Sequence, residues 1–339
     1  MTTTSVGPTA VSAGPSAVGR WAGRLWLGGL WLCLAGLGGW AVVRGFGLDH
    51  RTPLAQLVSY TPFVGVFSLV VLVAALATRN WRAAAAAALA VLIFGAFVLP
   101  REVGGGGPSD GGRLRVVAFN TKVGAGSVAE VMALLRKERP DVFTVQELTP
   151  EWAERFQAAG AAELLPYRAL RALPGALGTG IWARYPLTGG RTADPRSGFD
   201  QTYAVLRRPG KPAVQVVSAH PRPPTLRPND WGSPRKWAGD ITRLPGAPSS
   251  GPVLLMAGDF NSSLDHSPLR KLIGTGYRDA AATVGRGLDP TWPYDGQRPP
   301  PVTIDHVLVD KRAGAAAFRT KVIAGSDHKA IVADLILPE

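Results

Sequence analysis

Acidic, amide and imidazole side chains stand at the ends of apolar runs at six separate places in the sequence. They are Asn120 after LRVVAF, Glu147 after FTVQ, His220 after VQVVSA, Asp259 and Asn261 after VLLMAG, Asp305 within TIDHVLVD, and Asp327 and His328 before AIVADL. The end of a strand lets a side chain leave the core while it stays rigidly placed, which is what a reactive site requires.

Each of these places also has an ordinary structural explanation when it is taken alone. Asp-Phe-Asn after a glycine is a common turn sequence. Glu147 could cap the helix predicted to begin near Thr149, and His220 before a proline could be a hydrogen-bonded structural histidine. The series as a whole therefore carries the functional hypothesis, and no single residue does.

Four of the six places supply a carboxylate, from Glu147, Asp259, Asp305 and Asp327. If all four lie in one pocket, a bound cation or proton must offset their charge. Hard oxygen ligands favour Mg²⁺ or Mn²⁺. The single cysteine, Cys33, excludes an intramolecular disulfide and a cysteine-based zinc site.

Taken in order, the six places resemble the motifs of the endonuclease/exonuclease/phosphatase superfamily, which includes DNase I-like nucleases and sphingomyelinases. The most specific pieces are GDFN at Gly258–Asn261 and SDH at Ser326–His328, and the resemblance runs from Leu114 to the C-terminus. Within the superfamily, His220-Pro221-Arg222-Pro223-Pro224 is most similar to the VanJ-type teicoplanin-resistance membrane proteins. The resemblance implies an α/β (α+β) four-layer sandwich, with two mixed β-sheets flanked by helices.

The same resemblance implies a role for each residue. Glu147 would be the principal metal ligand, with Asn120 and Asp327 helping to hold the metal or its waters. Asp259 would orient or deprotonate the attacking water. The other implied roles are phosphate contact for Asn261, hydrogen-bond donation to phosphoryl oxygens for His220 and His328, and orientation of a cationic His328 by Asp305.

Two arginines after the third motif, Arg222 and Arg227, could clamp an anion from a stiff proline-rich loop. The net charge of +13 also favours an anionic partner. The arginines of the C-terminal part are nevertheless scattered, with few aromatic residues between them, which argues against a surface that follows a nucleic acid. Trp231 and Trp237 near that loop could instead meet a membrane or a lipid tail.

The first hundred residues are different in kind, with six arginines and one acid, Asp49. After a tail at 1–24, three apolar runs at about 25–43, 60–78 and 83–100 approach the roughly 20 residues that cross a bilayer. A cleaved signal peptide and buried core helices are the alternatives. We expect three transmembrane helices, because the tail before the first run is long and no run shows a polar face.

Three spans put the C-terminal domain on the side opposite the N-terminus, but the arginine count near the span ends does not decide which side that is. The resemblance implies a cell-membrane protein with its catalytic domain facing the extracellular side. REVGGGGPSDGG at 101–112 predicts a flexible linker, and 113–339 the catalytic domain.

Alternating and continuous apolar runs predict the elements of that domain. Strands are expected at 114–119, 142–145, 180–183, 203–206, 214–218, 253–257, 304–309 and 330–335, and helices at 127–139, 151–159, 234–243 and 267–273.

The combined hypothesis is a membrane-anchored, metal-dependent phosphohydrolase. Its expected substrate is a lipid-linked phosphate or pyrophosphate of the cell envelope, and the resemblance implies undecaprenyl pyrophosphate or a related precursor and a role in glycopeptide resistance. Two alternatives remain open from sequence: an extracellular nuclease or sphingomyelinase-type phosphodiesterase, and a non-catalytic protein that binds envelope precursors.

Overall fold

Three long apolar helices form the N-terminal part of the protein. The computed structural model describes residues 17–105, 107–108, 110–192, 201–225, 233–294, 296 and 300–339. The N-terminal elements are α1 (Ala17–Phe46), α2 (Leu54–Leu57), a 3-10 turn (Val58–Tyr60), α3 (Thr61–Ala77), α4 (Trp81–Val98) and α5 (Pro100–Val103). The segments Gly23–Phe46, Leu54–Ala77 and Trp81–Val98 are long and apolar enough to cross a membrane, with mean hydropathies of 1.6, 2.1 and 1.9.

Small residues bring these helices together. Ala75 of α3 packs in one buried cluster with Ala83 and Ala87 of α4, beside Leu34 and Phe94. Because lipid tails are as apolar as these side chains, close packing of small residues is what favours association of helices in a membrane.

The C-terminal part contains two six-stranded sheets, whose strands are numbered in chain order. The first sheet has the order β11 (Gly314–Val322), β12 (Lys329–Leu337), β1 (Gly112–Asn120), β2 (Val142–Gln146), β4 (Thr179–Ala183) and β3 (Tyr167–Arg171). The second has the order β5 (Leu187–Thr192), β6 (Thr202–Leu206), β7 (Val214–Ala219), β8 (Val253–Asp259), β10 (Asp305–Asp310) and β9 (Tyr277–Asp279). Both sheets are mixed, because β1 pairs with β2 and β7 with β8 in parallel while the other pairs are antiparallel.

The sheets pack face to face on a buried aliphatic core that includes Val116, Val142, Val216, Leu255 and Val307. Helices cover the two outer faces. The helices α6 (Val128–Glu138), α7 (Pro150–Ala158) and α8 (Ala161–Leu164) follow strands of the first sheet, and α9 (Pro234–Arg243) and α10 (Ser267–Gly274) lie in the half that forms the second. The short helix α11 (Ala280–Thr283) instead adds Ala280 and Ala281 to the core between the sheets. The predicted fold class, two mixed sheets flanked by helices in four layers, is confirmed.

Every predicted strand and helix of this domain overlaps an observed one. The additional strands are β3, β5, β9 and β11. The predicted flexible linker at 101–112 is wrong for its first residues, because Arg101 is buried and a side chain at Gly104 would collide with the backbone at Thr283–Gly285. A glycine-rich composition did not reveal these contacts, since they join residues almost 180 positions apart.

The apolar helices are fixed to the domain by a buried ion cluster. The carboxylate of Asp265 accepts hydrogen bonds from Arg44 at the end of α1, at 3.1 Å, and from both terminal nitrogens of Arg101 in α5, at 2.5 and 2.7 Å. Beside it, the amide of Ser267 donates to Asp49 at 2.7 Å. The helices and the catalytic domain are therefore joined by specific contacts.

The segment between α1 and α3 also enters the core of the domain. Ala55 is fully buried in one cluster with Ala219, Trp237 and Phe260, and its carbonyl oxygen lies 2.6 Å from Nε2 of His266. Residues of the apolar N-terminal part therefore lie next to the strand ends from which the candidate site is built.

Candidate active site

The site lies at the sheet edge where the two parallel strand pairs end. The register aligns Asn120 with Gln146 in the first sheet and Ala219 with Gly258 in the second. An antiparallel pair then sets Asp305 directly opposite Asp259. Carboxyl ends of parallel strands meet at one edge, so the side chains that follow them converge from both sheets.

A cavity of about 530 Å³ opens at this edge. From the catalytic domain it is lined by Glu147, His220, Asp259, Asn261, Asp327 and His328, among others, and from the N-terminal part by Ala55, Gln56, Ser59 and Tyr60. Six of the ten residues predicted for the site thus line this cavity. Two more, Asn120 and Asp305, bond directly to side chains that line it.

Gly258 allows the two sheets to approach each other behind the cavity. Its φ of +147° is rarely adopted by other residues. A Cβ there would lie 2.3 Å from the carbonyl oxygen of Ala219 and 2.6 Å from Nε2 of Gln146. The glycine of the GDFN motif is therefore a steric requirement for placing Asp259 opposite the first sheet.

Glu147 and Asn120 hold each other in place. The amide nitrogen of Asn120 donates to Oε1 of Glu147 at 3.2 Å and to Oδ2 of Asp259 at 3.0 Å. The second oxygen of Glu147 accepts from the backbone amide of Val123 at 2.8 Å. Glu147 has a left-handed backbone, with φ of +53°, a conformation whose strain is about 1–2 kcal/mol and which turns its carboxylate into the cavity.

Asp259 lies at the centre of the cluster and is almost fully buried. Its Oδ2 is 3.8 Å from Nε2 of His220 and 3.6 Å from Nε2 of His328. Its other oxygen accepts from the backbone amide of Asn261 at 2.7 Å. One carboxylate is thus held within reach of two imidazoles without being bonded tightly to either.

The two imidazoles differ in protonation state near pH 7. Burial lowers the pKa of His220 to about 3, with a further contribution from the nearby charge of His328, so His220 is neutral near pH 7. Burial alone would lower the pKa of His328 as well, but the carboxylates of Asp305 and Asp259 outweigh it and raise the pKa to about 10. Nδ1 of His328 lies 3.0 and 3.2 Å from the two oxygens of Asp305, which fixes the orientation of the imidazolium.

Two carboxylates of the cavity have raised pKa values. Burial raises the pKa of Glu147, with an additional contribution from Asp327. Burial also raises the pKa of Asp259, and the Asp305 charge adds to that effect. Acids kept close together away from water favour a bound cation, and the oxygen donors of Glu147 and Asp327 fit a hard divalent ion such as Mg²⁺ or Mn²⁺.

The sequence predicts that Asn120 helps to hold the metal or its waters, and its hydrogen bonds show how its side-chain amide is oriented. Its Oδ1 accepts from the backbone amide of Lys122 at 2.9 Å, while its nitrogen lies between Glu147 and Asp259. Asn120 therefore positions the Glu147 carboxylate by hydrogen bonding.

Asp259, Asp305 and His328 form a second group whose ligand atoms lie within 4.8 Å of one another. The hydrogen bonds between Asp305 and His328 hold the imidazole in one orientation within this group. The carboxylates of Glu147 and Asp327 offer a separate set of oxygen donors to a cation on the wall of the same cavity.

Several residues of the site were missed from sequence. The indole nitrogen of Trp292 donates to Oδ2 of Asp327 at 3.1 Å, and the ring lies beside the imidazole of His328. Gln201 Oε1 accepts from the backbone amide of His220 at 2.5 Å. Trp292 and Gln201 stand outside the six motifs. The N-terminal residues that line the cavity belong to an uncharged, mostly apolar stretch. The sequence near these residues therefore carries no signal that they contribute to the site.

Of the two predicted anion clamps, the structure describes Arg222, which does not line the cavity. Arg222 donates twice to Asp240, from Nε at 2.6 Å and from a terminal nitrogen at 2.7 Å, so its guanidinium holds α9 against the loop that follows β7. Arg227 lies outside the residues that the structure describes, as does Trp231. Asn261, expected at the phosphate, donates its amide to the carbonyl oxygen of Pro221 at 3.0 Å while lining the cavity.

The fold is shared with solved structures of low sequence identity. An endonuclease/exonuclease/phosphatase from Beutenbergia cavernae DSM 12333 matches 67% of this chain and 72% of its own length, with a TM-score of 0.51 and 18% identity. The 3′ phosphatase NExo from Neisseria, solved with a product DNA hairpin, matches 65% of this chain and 98% of its own, with a TM-score of 0.50 and 19% identity. A comparison with curated proteins found no match.

A family model described as "Endonuclease/Exonuclease/phosphatase family" matches residues 117–328. The matched region spans β1 to the His328 motif and contains all six candidate places, with Asn120 near its start and His328 at its end. The chain therefore belongs to the endonuclease/exonuclease/phosphatase family, whose members are metal-dependent phosphoesterase hydrolases.

Proposed function

We propose that this protein is a membrane-anchored, divalent-metal-dependent phosphohydrolase that acts on phosphate or pyrophosphate esters of a lipid. The observation that carries the proposal is the composition of the cavity wall: Gln56, Ser59 and Tyr60 belong to an apolar segment long enough to cross a membrane and face the same cavity as Glu147 and His328. A site built in this way opens beside the bilayer, where a lipid headgroup is concentrated and a nucleic acid is not.

Different residues of the cavity have different roles in phosphoryl transfer. Asp259 accepts a proton from the attacking water or orients it, as a buried carboxylate with a raised pKa can do near neutral pH. The His328 imidazolium donates from Nε2 to a phosphoryl oxygen and stabilises the charge that develops there. Asp305 acts as a positioning residue, because it keeps His328 protonated and oriented.

Glu147 and Asp327 would hold the divalent ion, with Asn120 and the Trp292 indole fixing the two carboxylates. When bound, such an ion polarises the phosphoryl oxygens and offsets their negative charge. Neutral His220 can donate one further hydrogen bond toward the substrate from its place between Glu147 and Asp259.

We propose a lipid-linked precursor of the cell wall, such as undecaprenyl pyrophosphate, as the substrate, with the catalytic domain facing the extracellular side and a role in glycopeptide resistance. This orientation is the one that the resemblance implies. Arg44 and Arg101 are paired with Asp265 on the domain side, whereas Arg79 lies between α3 and α4 and Arg82 in the first turn of α4, at the far end.

The test uses the full-length protein in detergent, with Mg²⁺ or with a chelator. It measures release of phosphate from undecaprenyl pyrophosphate and, in parallel, cleavage of single- and double-stranded DNA into shorter fragments. We expect metal-dependent hydrolysis of the lipid. Asp259→Ala should abolish turnover while circular dichroism stays unchanged, and Glu154→Ala, on the exposed face of α7, should behave as the wild type.

Efficient cleavage of DNA without phosphate release from the lipid would replace this proposal with a nuclease. Tight lipid binding without turnover under any metal condition would indicate a binding protein.

A further inference from the structure

A second, smaller cavity lies directly beside the active site. It has a volume of about 250 Å³ and runs between the start of α3 and the catalytic domain. The α3 side is formed by Pro62, Phe63 and Val66, and the opposite side includes Leu264, Pro290 and Val302. We call this cavity the apolar groove.

The groove and the active-site cavity share two lining residues, Ser59 and Val302. The groove and the active-site cavity are therefore neighbours that meet at Ser59 and Val302. Arg101 and Asp265 also border the groove, but their charges are paired with each other. The surface offered to a ligand is consequently dominated by aliphatic and aromatic carbon.

The far end of the groove opens on the exposed side of α3. Phe63 and Val66 are 50% and 64% exposed in the isolated protein, although they belong to an apolar helix that could span a membrane. In a bilayer this face of α3 meets hydrocarbon tails. The groove therefore adjoins both the active-site cavity and a side of α3 that would face lipid.

We infer that the apolar groove binds the first part of the single hydrocarbon chain of the lipid substrate while the phosphate occupies the active-site cavity. This inference rests on the proposed function and deepens it. The groove, at about 250 Å³, has less than half the volume of the active-site cavity, at about 530 Å³, so it suits a short stretch of one chain and leaves the rest of the lipid in the bilayer. Because the bilayer and the groove are both apolar, the groove orients the chain by packing against it.

The test compares two substitutions on α3 and two substrates. Val66→Trp fills the groove. Val73→Trp is the matched control, because Val73 lies two turns further along the same face of α3 and is 65% exposed, yet does not border the groove. The substrates carry the same headgroup: undecaprenyl pyrophosphate at fixed surface concentration in mixed micelles, and the water-soluble dimethylallyl pyrophosphate.

We expect Val66→Trp to raise KM for the long-chain substrate about tenfold or more and to leave kcat and the hydrolysis of the short-chain substrate within twofold. Val73→Trp should change neither. Equal effects of the two substitutions, or an equal effect of Val66→Trp on both substrates, would overturn the groove inference while leaving the proposed function in place. Failure of the wild-type protein to hydrolyse either substrate would overturn the proposed function, and the inference with it.

Discussion

Replacing Asp265 by asparagine should separate the apolar helices from the catalytic domain. The substitution keeps the size of the side chain and removes the charge that holds Arg44 and Arg101. The Asp265 side chain is 0% exposed, and those of Arg44 and Arg101 are 10% and 8% exposed. The change therefore leaves two buried guanidinium groups without their carboxylate.

Breaking a buried ion pair from one side typically costs about 3–5 kcal/mol, because the remaining charge stays desolvated. For a domain of this size, about 1 kcal/mol corresponds to roughly 2–4 °C in the midpoint of thermal unfolding. We therefore expect the Asp265→Asn protein to unfold roughly 6–20 °C below the wild type.

The assay is thermal unfolding in detergent together with limited proteolysis of the segments next to the ion cluster. The matched control is Asp240→Asn, which removes another buried carboxylate paired with two arginines, Arg222 and Arg243, inside the catalytic domain. Both proteins should be less stable. Of the two variants, Asp265→Asn should expose the α4–β1 connection to protease, because the Asp265 carboxylate bonds to α1 and α5 and the Asp240 carboxylate bonds to arginines of the C-terminal domain.

A melting midpoint within about 2 °C of the wild type, with unchanged proteolysis, would refute this reasoning. It would mean that Ala55 and the surrounding apolar contacts hold the two parts together without help from the ions.

Three further predictions address the site. Asp305→Asn should move the basic limb of the kcat/KM profile to lower pH, because Asp305 raises the pKa of His328 to about 10 and the protonated form, present below the pKa, is the one required; superimposable profiles would exclude this role. Gly258→Ala should destabilise the protein by about 1–3 kcal/mol, measured by denaturant unfolding, since the new Cβ would lie 2.3 Å from the Ala219 oxygen in the same sheet and 2.6 Å from Nε2 of Gln146 in the other; an unchanged unfolding midpoint would show that neither contact constrains the fold. Glu147→Gln should raise the Mg²⁺ concentration for half-maximal activity about 10- to 100-fold or more, whereas an unchanged metal requirement would mean that the ion binds elsewhere.

The sequence indicated which side chains of the C-terminal domain lie near one another because most of them stand at strand ends. Asn120, Glu147, His220 and Asp259 end or follow β1, β2, β7 and β8, whose parallel pairs end at one edge. The position of a residue at the end of such a strand therefore predicted which other side chains lie close to it. The strands that were missed lack such a signal: β11 reads GAAAFRTKV, with alanines where β-branched residues would mark a strand.

The membrane-side half could not be predicted for a different reason. Arg44 and Arg101 stand near the ends of apolar runs, where arginines usually meet lipid headgroups, and their partner Asp265 is 221 and 164 positions away. Gln56 and Ser59 belong to an uncharged stretch. Its composition predicts that the stretch is apolar, but not which of its residues line the cavity. For Arg222 the sequence predicted a contact that the structure does not have. Its position near His220 predicted that it binds the substrate, but it pairs with Asp240, which lies 18 positions later in a helix.

The burial of Ala55 among Ala219, Trp237 and Phe260 has a consequence for biosynthesis. A ribosome completes Ala55 long before it reaches β7, α9 or the GDFN motif, so part of the hydrophobic core of the enzyme is already anchored when the remaining chain emerges. The nascent catalytic half can then condense on a surface that has been assembled in advance. A fragment that starts after the third helix would lack this template and would present Trp237 and Phe260 with an unfilled neighbour.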